Sequence, residues 1–143
     1  MNTTIRTLCA ATLLSVSTLA PAAPADDATA HFKAIAAGNV DQVMMDYGAT
    51  PTMQWVGGKL DGAYSGKDKI REVWSKFSKN FAPLELSIGK VEENSNPNGA
   101  TVTANISFKG KLVSAVRYVL VYRDGKIVDE IYQIDPKLMP AAY

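Results

Sequence analysis

Past its first two dozen residues the chain has no cysteine and almost no histidine. The one cysteine, Cys9, sits in an apolar run near the start, and the one histidine is His31. A segment without Cys can form no disulfide, offers no thiolate nucleophile and ligates no metal through sulfur, and a lone His cannot build a His-rich metal site. Charge of one sign is also missing. Fifteen Lys and Arg oppose fourteen Asp and Glu, and there is no basic stripe of the kind a nucleic-acid binder carries. After residue 25 no apolar run is long enough to span a bilayer. The sequence also lacks a phosphate-binding loop: Gly62–Asp68 (GAYSGKD) has neither the four-residue gap nor the Ser/Thr that such a loop needs. No HExxH and no GxSxG occurs, which removes the common zinc-hydrolase and serine-hydrolase signatures. No cofactor, metal, nucleic-acid partner or membrane span is implied.

What is present begins with a leader. Residues 1–25 (MNTTIRTLCAATLLSVSTLAPAAPA) place Arg6 ahead of an apolar run from Leu8 to Ala20. Two small-x-small exits follow, Ala20-Pro21-Ala22 and Ala23-Pro24-Ala25. This is the layout of a secretory signal peptide, cleaved after Ala22 or Ala25. The expectation is an exported protein, periplasmic or secreted, with residues 26–143 as one domain. Losing Arg6 leaves equal numbers of acids and bases, and a cysteine-free domain suits an oxidising compartment.

Periodicity predicts three helices and then strands. Asp26-Asp27 open a helix to about Ala37 with Phe32, Ile35 and Ala36 on one stripe, and Gly38 closes it. Asn39, with Gln42 three residues on, caps a second helix whose apolar side is Val40, Val43, Met44 and Tyr47. Thr52–Val56 reads as a strand in a small hairpin punctuated by Gly57, Gly58 and Gly62. Ile70, Val73, Trp74 and Phe77 recur at helical spacing and mark the third helix. Leu84–Ile88, then Val102–Phe108, then Leu112–Arg123 and Lys126–Ile134, are strands joined by turns at Asn94–Gly99, Lys109–Lys111 and Asp124-Gly125. Helices first and a meandering sheet after them give an α+β class.

The stretches Phe32–Asp41 (FKAIAAGNVD), Leu60–Trp74 (LDGAYSGKDKIREVW), Tyr122–Val128 (YRDGKIV) and Tyr132–Pro136 (YQIDP) resemble, in their order and spacing, the NTF2-like superfamily. The likeness is to its SnoaL-like and ketosteroid-isomerase-like members. It implies a cone-shaped, cystatin-like fold in which a curved antiparallel sheet wraps three N-terminal helices, a small-molecule pocket in the cone, and a homodimer through the outer sheet face. Ketosteroid isomerases need a carboxylate base and an oxyanion hole of one Tyr and one protonated acid. Aligned on Ala37-Gly38 and Lys109-Gly110, this chain has His31 at the tyrosine position, Trp55 at the base and Val119 at the acid. Ketosteroid isomerisation is therefore not expected.

The same alignment assigns faces. With Val119 inward, strand alternation takes Val113, Ala115, Arg117 and Val121 inward as well. A tight turn at Asp124-Gly125 pairs Val119 with Glu130 and Arg117 with Tyr132, so Val128, Glu130, Tyr132 and Ile134 also face in. The expected pocket is His31, Trp55, Arg117, Val119, Glu130 and Tyr132, which would hold a small apolar or amphipathic ligand. The outer set, Tyr118, Leu120, Tyr122, Ile127 and Ile131, is the expected dimer face. Two alternatives stay open. One is a SnoaL-type isomerase, cyclase or dehydratase in which His31 and Glu130 act as acid and base and Arg117 or Tyr132 holds an enolate. The other is a dimerisation scaffold whose cone is filled by Trp55, Tyr132 and Phe32.

Overall fold

The computed structural model describes residues 21–138. Most of the expected leader, residues 1–20, lies outside them. Helix α1 spans Pro24–Ala37 and so begins inside the expected leader, with Pro at its first turn and Asp26 and Asp27 beside its positive end. It buries Ala28, His31, Phe32, Ala34, Ile35 and Ala36. Gly38, at φ 73°, closes it: its N–H and that of Asn39 donate to Ile35 and Ala34 carbonyls at 3.0 Å. A Cβ at Gly38 would stand 2.7 Å from both Ala82 Cβ and Ser78 Oγ. Close approach and backbone conformation thus both demand glycine there.

Helix α2, Val40–Met45, starts at Asn39, whose side chain accepts the Gln42 N–H as the capping spacing predicts. It stops earlier than the periodicity suggests, and Tyr47 instead opens strand β1, Tyr47–Val56. β2 is Gly62–Ser65, and α3, Lys67–Phe81, carries Ile70, Val73, Trp74 and Phe77 into the core. The strands β3 (Glu85–Asn96), β4 (Gly99–Lys109), β5 (Val113–Arg123) and β6 (Lys126–Ile134) form the antiparallel meander, followed by a short 3-10 turn at Pro136–Leu138.

Six strands lie in the order β2-β1-β6-β5-β4-β3. The sheet is curved, unclosed and mixed rather than purely antiparallel, because β1 joins β6 in parallel. That pairing crosses most of the chain, so no local turn signal announces it. α1 packs on β3 and β4, and α3 packs on β1 and β2.

The register between β5 and β6 departs from expectation. The turn is as tight as predicted: Arg123 pairs with Lys126, and Asp124 (φ 49°) and Gly125 (φ 71°) are both left-handed. One step later a bulge intervenes. Tyr122 pairs with Ile127, but Val121 pairs with Asp129, so Val128 is the extra residue. β1 is irregular at the same level: Tyr47 pairs with Ile127 and Thr52 with Asp129. A one-residue slip sends every later side chain to the other face of its partner's pattern. Hence Leu120 faces Glu130 and Tyr118 faces Tyr132, while Val119 faces Ile131 and Arg117 faces Gln133. The inner set on β5 is Tyr118, Leu120 and Tyr122, all buried, together with Val116. Arg117, Val119 and Val121 lie on the outer face.

Candidate functional site

Two adjacent places in the cone carry the chemistry, and an aromatic wall separates them. The first is a buried polar cluster built around Glu130 on β6, which has no exposed surface. Its carboxylate accepts the hydroxyls of Tyr47 from the start of β1 and Tyr118 from β5. His31 Nε2 on α1 stands 3.4 Å from the same carboxylate, and Nδ1 lies 2.8 Å from Asp46, the residue that caps α2. Trp74 Nε1–H from α3 donates to the Tyr47 hydroxyl at 2.8 Å. A carboxylate taken from water is tolerated only when its lone pairs are met, and here three donors converge on it.

Two carboxylates flank one imidazole, and only the imidazolium can donate to both. Burial alone pulls the His31 pKa down, but hydrogen bonds to Asp46 and Glu130 and the charges of both overcome it. The result is a value raised to about 9. Burial, reinforced by the Glu130 charge, pushes Tyr47 and Tyr118 well above the usual tyrosine range, so both remain protonated donors. His31 is therefore a buried cation at neutral pH, partnered at both nitrogens.

The second place is an apolar cavity of about 310 Å³ at the open end of the cone. Trp55 from β1, Phe77 and Phe81 from α3, Phe108 from β4, and Tyr132 and Ile134 from β6 make its walls; Leu84, Leu112 and Val113 also line it. Its polar lining side chains are Lys59, Ser114, Trp55 and Tyr132. The Ser114 and Tyr132 hydroxyls are 3.5 Å apart, and the buried Trp55 Nε1 finds no acceptor among the described residues. The rim is unusually apolar, with Leu112 71% exposed and Val113 44%.

The wall between the two places is stacked aromatic surface. Trp55 and Tyr132 lie face to face at 3.9 Å, Trp74 stands 5.5 Å from Trp55 and 6.0 Å from Tyr132, and Tyr118 meets Tyr132 edge-on at 5.5 Å. None of His31, Asp46, Tyr47, Trp74, Tyr118 or Glu130 lines the cavity.

Of the six residues expected to share one pocket, Trp55 and Tyr132 line the cavity. His31 and Glu130 are brought together, but behind the wall. Arg117 is exposed on the outer face and Val119 lies beside it, so neither reaches the cone interior and Arg117 does not pair with Glu130. The residues expected on the outer sheet face are also placed differently. Tyr118, Leu120, Tyr122 and Ile127 are at most 3% exposed within the protomer's own core, and only Ile131 of that set reaches solvent. Sequence reasoning missed Asp46, Tyr47 and Trp74 in the cluster, and Phe77, Phe81, Phe108, Ser114 and Lys59 in the cavity. The Phe77 stripe and the Phe108 alternation were legible as core, but nothing local told which core aromatics border open space.

No family model matches the chain, and no curated protein matches it in sequence. Solved structures do match. A protein of unknown function with a cystatin-like fold from Nostoc punctiforme is similar at TM-score 0.65 and 14% identity, covering 78% of this chain and 87% of that one. An NTF2-like protein of unknown function from Pseudomonas putida is similar at TM-score 0.64 and 12% identity, covering 81% and 88%. A ketosteroid isomerase-like protein from Erwinia carotovora atroseptica is similar at TM-score 0.61 and 15% identity, covering 76% and 91%. At these identities the likeness is one of fold: the chain has the NTF2-like, cystatin-like architecture.

Proposed function

We propose that the chain is a small-molecule-binding domain that holds an apolar or amphipathic ligand in its cone and has no acid–base machine directed at that ligand. One observation carries this reading: the ionisable cluster and the cavity are different places. A proton-transfer group must come within hydrogen-bond reach of its substrate. His31 and Glu130 are fully buried behind Trp55, Trp74 and Tyr132, and their hydrogen-bonding atoms are spent on one another, on Asp46 and on two tyrosines. They hold α1, α2, β1, β5 and β6 together. The cavity, by contrast, has the form of a ligand site: apolar walls, few polar groups, and a volume at the lower end of the roughly 300–1,000 Å³ range typical of such pockets. Phe32, Trp55 and Tyr132 do fill the deep half of the cone, as a scaffold reading requires, but the outer half stays open.

Thermal denaturation against a panel of aromatic, steroid-like and acyl compounds tests this. At least one class is expected to raise Tm by several degrees at saturating concentration, since a ligand at about 100 times its Kd adds about 2.7 kcal/mol. Ser114→Phe fills the cavity from β5 and is expected to abolish the shift while far-UV circular dichroism stays unchanged. No shift with any class would overturn the reading.

Export belongs to the same proposal. The Asp26 and Asp27 N–H groups donate to the Ala23 carbonyl at 2.9 and 3.0 Å, and the Ala25 N–H reaches Glu93 at 2.9 Å. Cleavage after Ala22 leaves this first turn whole, whereas cleavage after Ala25 removes it. The intact mass of the protein purified from its own host is expected to begin at Ala23; a mass retaining Met1 would contradict export.

A further inference from the structure

The chemistry of the cavity lining narrows the ligand, on the premise that the cavity binds one. Among its side chains there is no Asp, Glu, Asn, Gln or His. The polar groups that remain can all donate. Trp55 Nε1–H and the Lys59 ammonium are donors only; Ser114 and Tyr132 carry hydroxyls whose one mutual contact is long, at 3.5 Å. The Trp55 N–H is itself buried and has no partner among the described residues, so the donors a ligand can meet are those of Lys59 and Ser114.

The one charged side chain of the lining is a cation. Lys59 lines the cavity, and Lys111 precedes the exposed Leu112 of the rim. Neither takes part in any of the ion pairs among the described residues. Asp61 accepts the Gly57 N–H at 2.6 Å, and Glu85 stands 3.9 Å from Lys109. The walls are flat aromatic surface and branched aliphatic rim, which suits a planar or chain-like apolar body.

We propose that the ligand is an amphipathic organic acid, an apolar and preferably aromatic body ending in a carboxylate or comparable oxyanion. The body lies against Trp55, Phe77, Phe108 and Tyr132. Its oxyanion lies at Lys59, which supplies the countercharge, with the Ser114 hydroxyl as the second donor. An amine of the same shape brings a cation to the Lys59 ammonium and is disfavoured by like-charge repulsion.

Titration calorimetry with three isosteric probes tests this: 2-naphthoate, methyl 2-naphthoate and naphthalen-2-ylmethylamine. The carboxylate is expected to bind at least about fivefold more tightly than the ester, the value of a favourable ion pair near 1 kcal/mol, with the amine weakest. Lys59→Ala, a surface change that leaves the fold intact, is expected to bring carboxylate and ester to the same Kd without altering the ester. Equal binding of all three probes, or preference for the amine, overturns the acid assignment while leaving the cavity a binding site. If none of the three binds but other apolar compounds stabilise the protein, the acid assignment again falls. If no compound of either set binds, the binding reading beneath it falls too.

Discussion

Replacing Glu130 by Ala is expected to lower the thermal midpoint by on the order of 15–25 °C, the largest effect of any single substitution in the cone. The change leaves the Tyr47 and Tyr118 hydroxyls and one face of the His31 cation without an acceptor in a place that water does not reach. Removing one partner from a buried, hydrogen-bonded ion pair typically costs about 3–5 kcal/mol. Each kcal/mol moves Tm by about 4–8 °C in a domain of about 100 residues. Glu130→Gln keeps the volume and one acceptor oxygen but loses the charge opposite His31, so a smaller loss of about 2 kcal/mol is expected. Tyr118→Phe in the Glu130→Gln background is expected to cost less than in the parent, because the two share one hydrogen bond.

These variants also separate the cluster from the cavity. Folded Glu130→Gln protein is expected to keep its ligand-induced thermal shift, since Glu130 does not line the cavity. Loss of the shift in that variant, with folding intact, would return Glu130 to the binding site. A Glu130→Ala midpoint within about 3 °C of the parent would show that the three donors find other acceptors.

Stability is expected to fall by about 3 kcal/mol as pH rises from 6 to above 9. The sign follows from His31. Its pKa is about 9 in the folded chain and near 6.5 when unfolded, so the folded state binds the proton more tightly. The resulting stabilisation is complete below pH 6.5 and is lost through the window between 6.5 and 9, at up to about 1.4 kcal/mol per pH unit. The groups facing the imidazole are Asp46 and Glu130, whose negative charges favour the imidazolium, and the neutral Tyr47 hydroxyl, bonded to the same Glu130 carboxylate. Urea denaturation at pH 6, 7, 8 and 9 reads the slope directly. His31→Gln is expected to be less stable at pH 6 and to show a flat profile across the same window. A parent profile already flat between pH 6 and 9 would mean that His31 titrates in the fold as it does in the unfolded chain, which would reopen an acid–base role for it.

The elements themselves were legible in local sequence. Gly38 as a helix stop, Asn39 as a cap, the Ile70–Val73–Trp74–Phe77 stripe and the two-residue turn at Asp124-Gly125 each act through groups a few residues apart, and each appears where its chemistry requires. His31 was expected in the cone from the resemblance and Glu130 from a pairing opposite Val119; the two do meet, at 3.4 Å, although Glu130 pairs with Leu120 instead.

Two things were decided only in three dimensions. Val128 bulges where β6 meets the irregular start of β1, and that single residue shifts the phase of β6, so that Ile127 before it and Glu130 and Tyr132 after it all face inward. β5 alternates without a break, which leaves Arg117 and Val119 outside and Tyr118, Leu120 and Tyr122 inside. The bulge answers to a parallel pairing between strands at opposite ends of the chain, which no nearby residue encodes. The second is the division of the cone. Composition supplies aromatic residues enough to fill it, and only their packing sets which of them close over Glu130 and His31 and which stand back around open space. The stacking of Trp55 on Tyr132 draws that line, and it places the ionisable groups on the side where they hold the fold together and the cavity on the other.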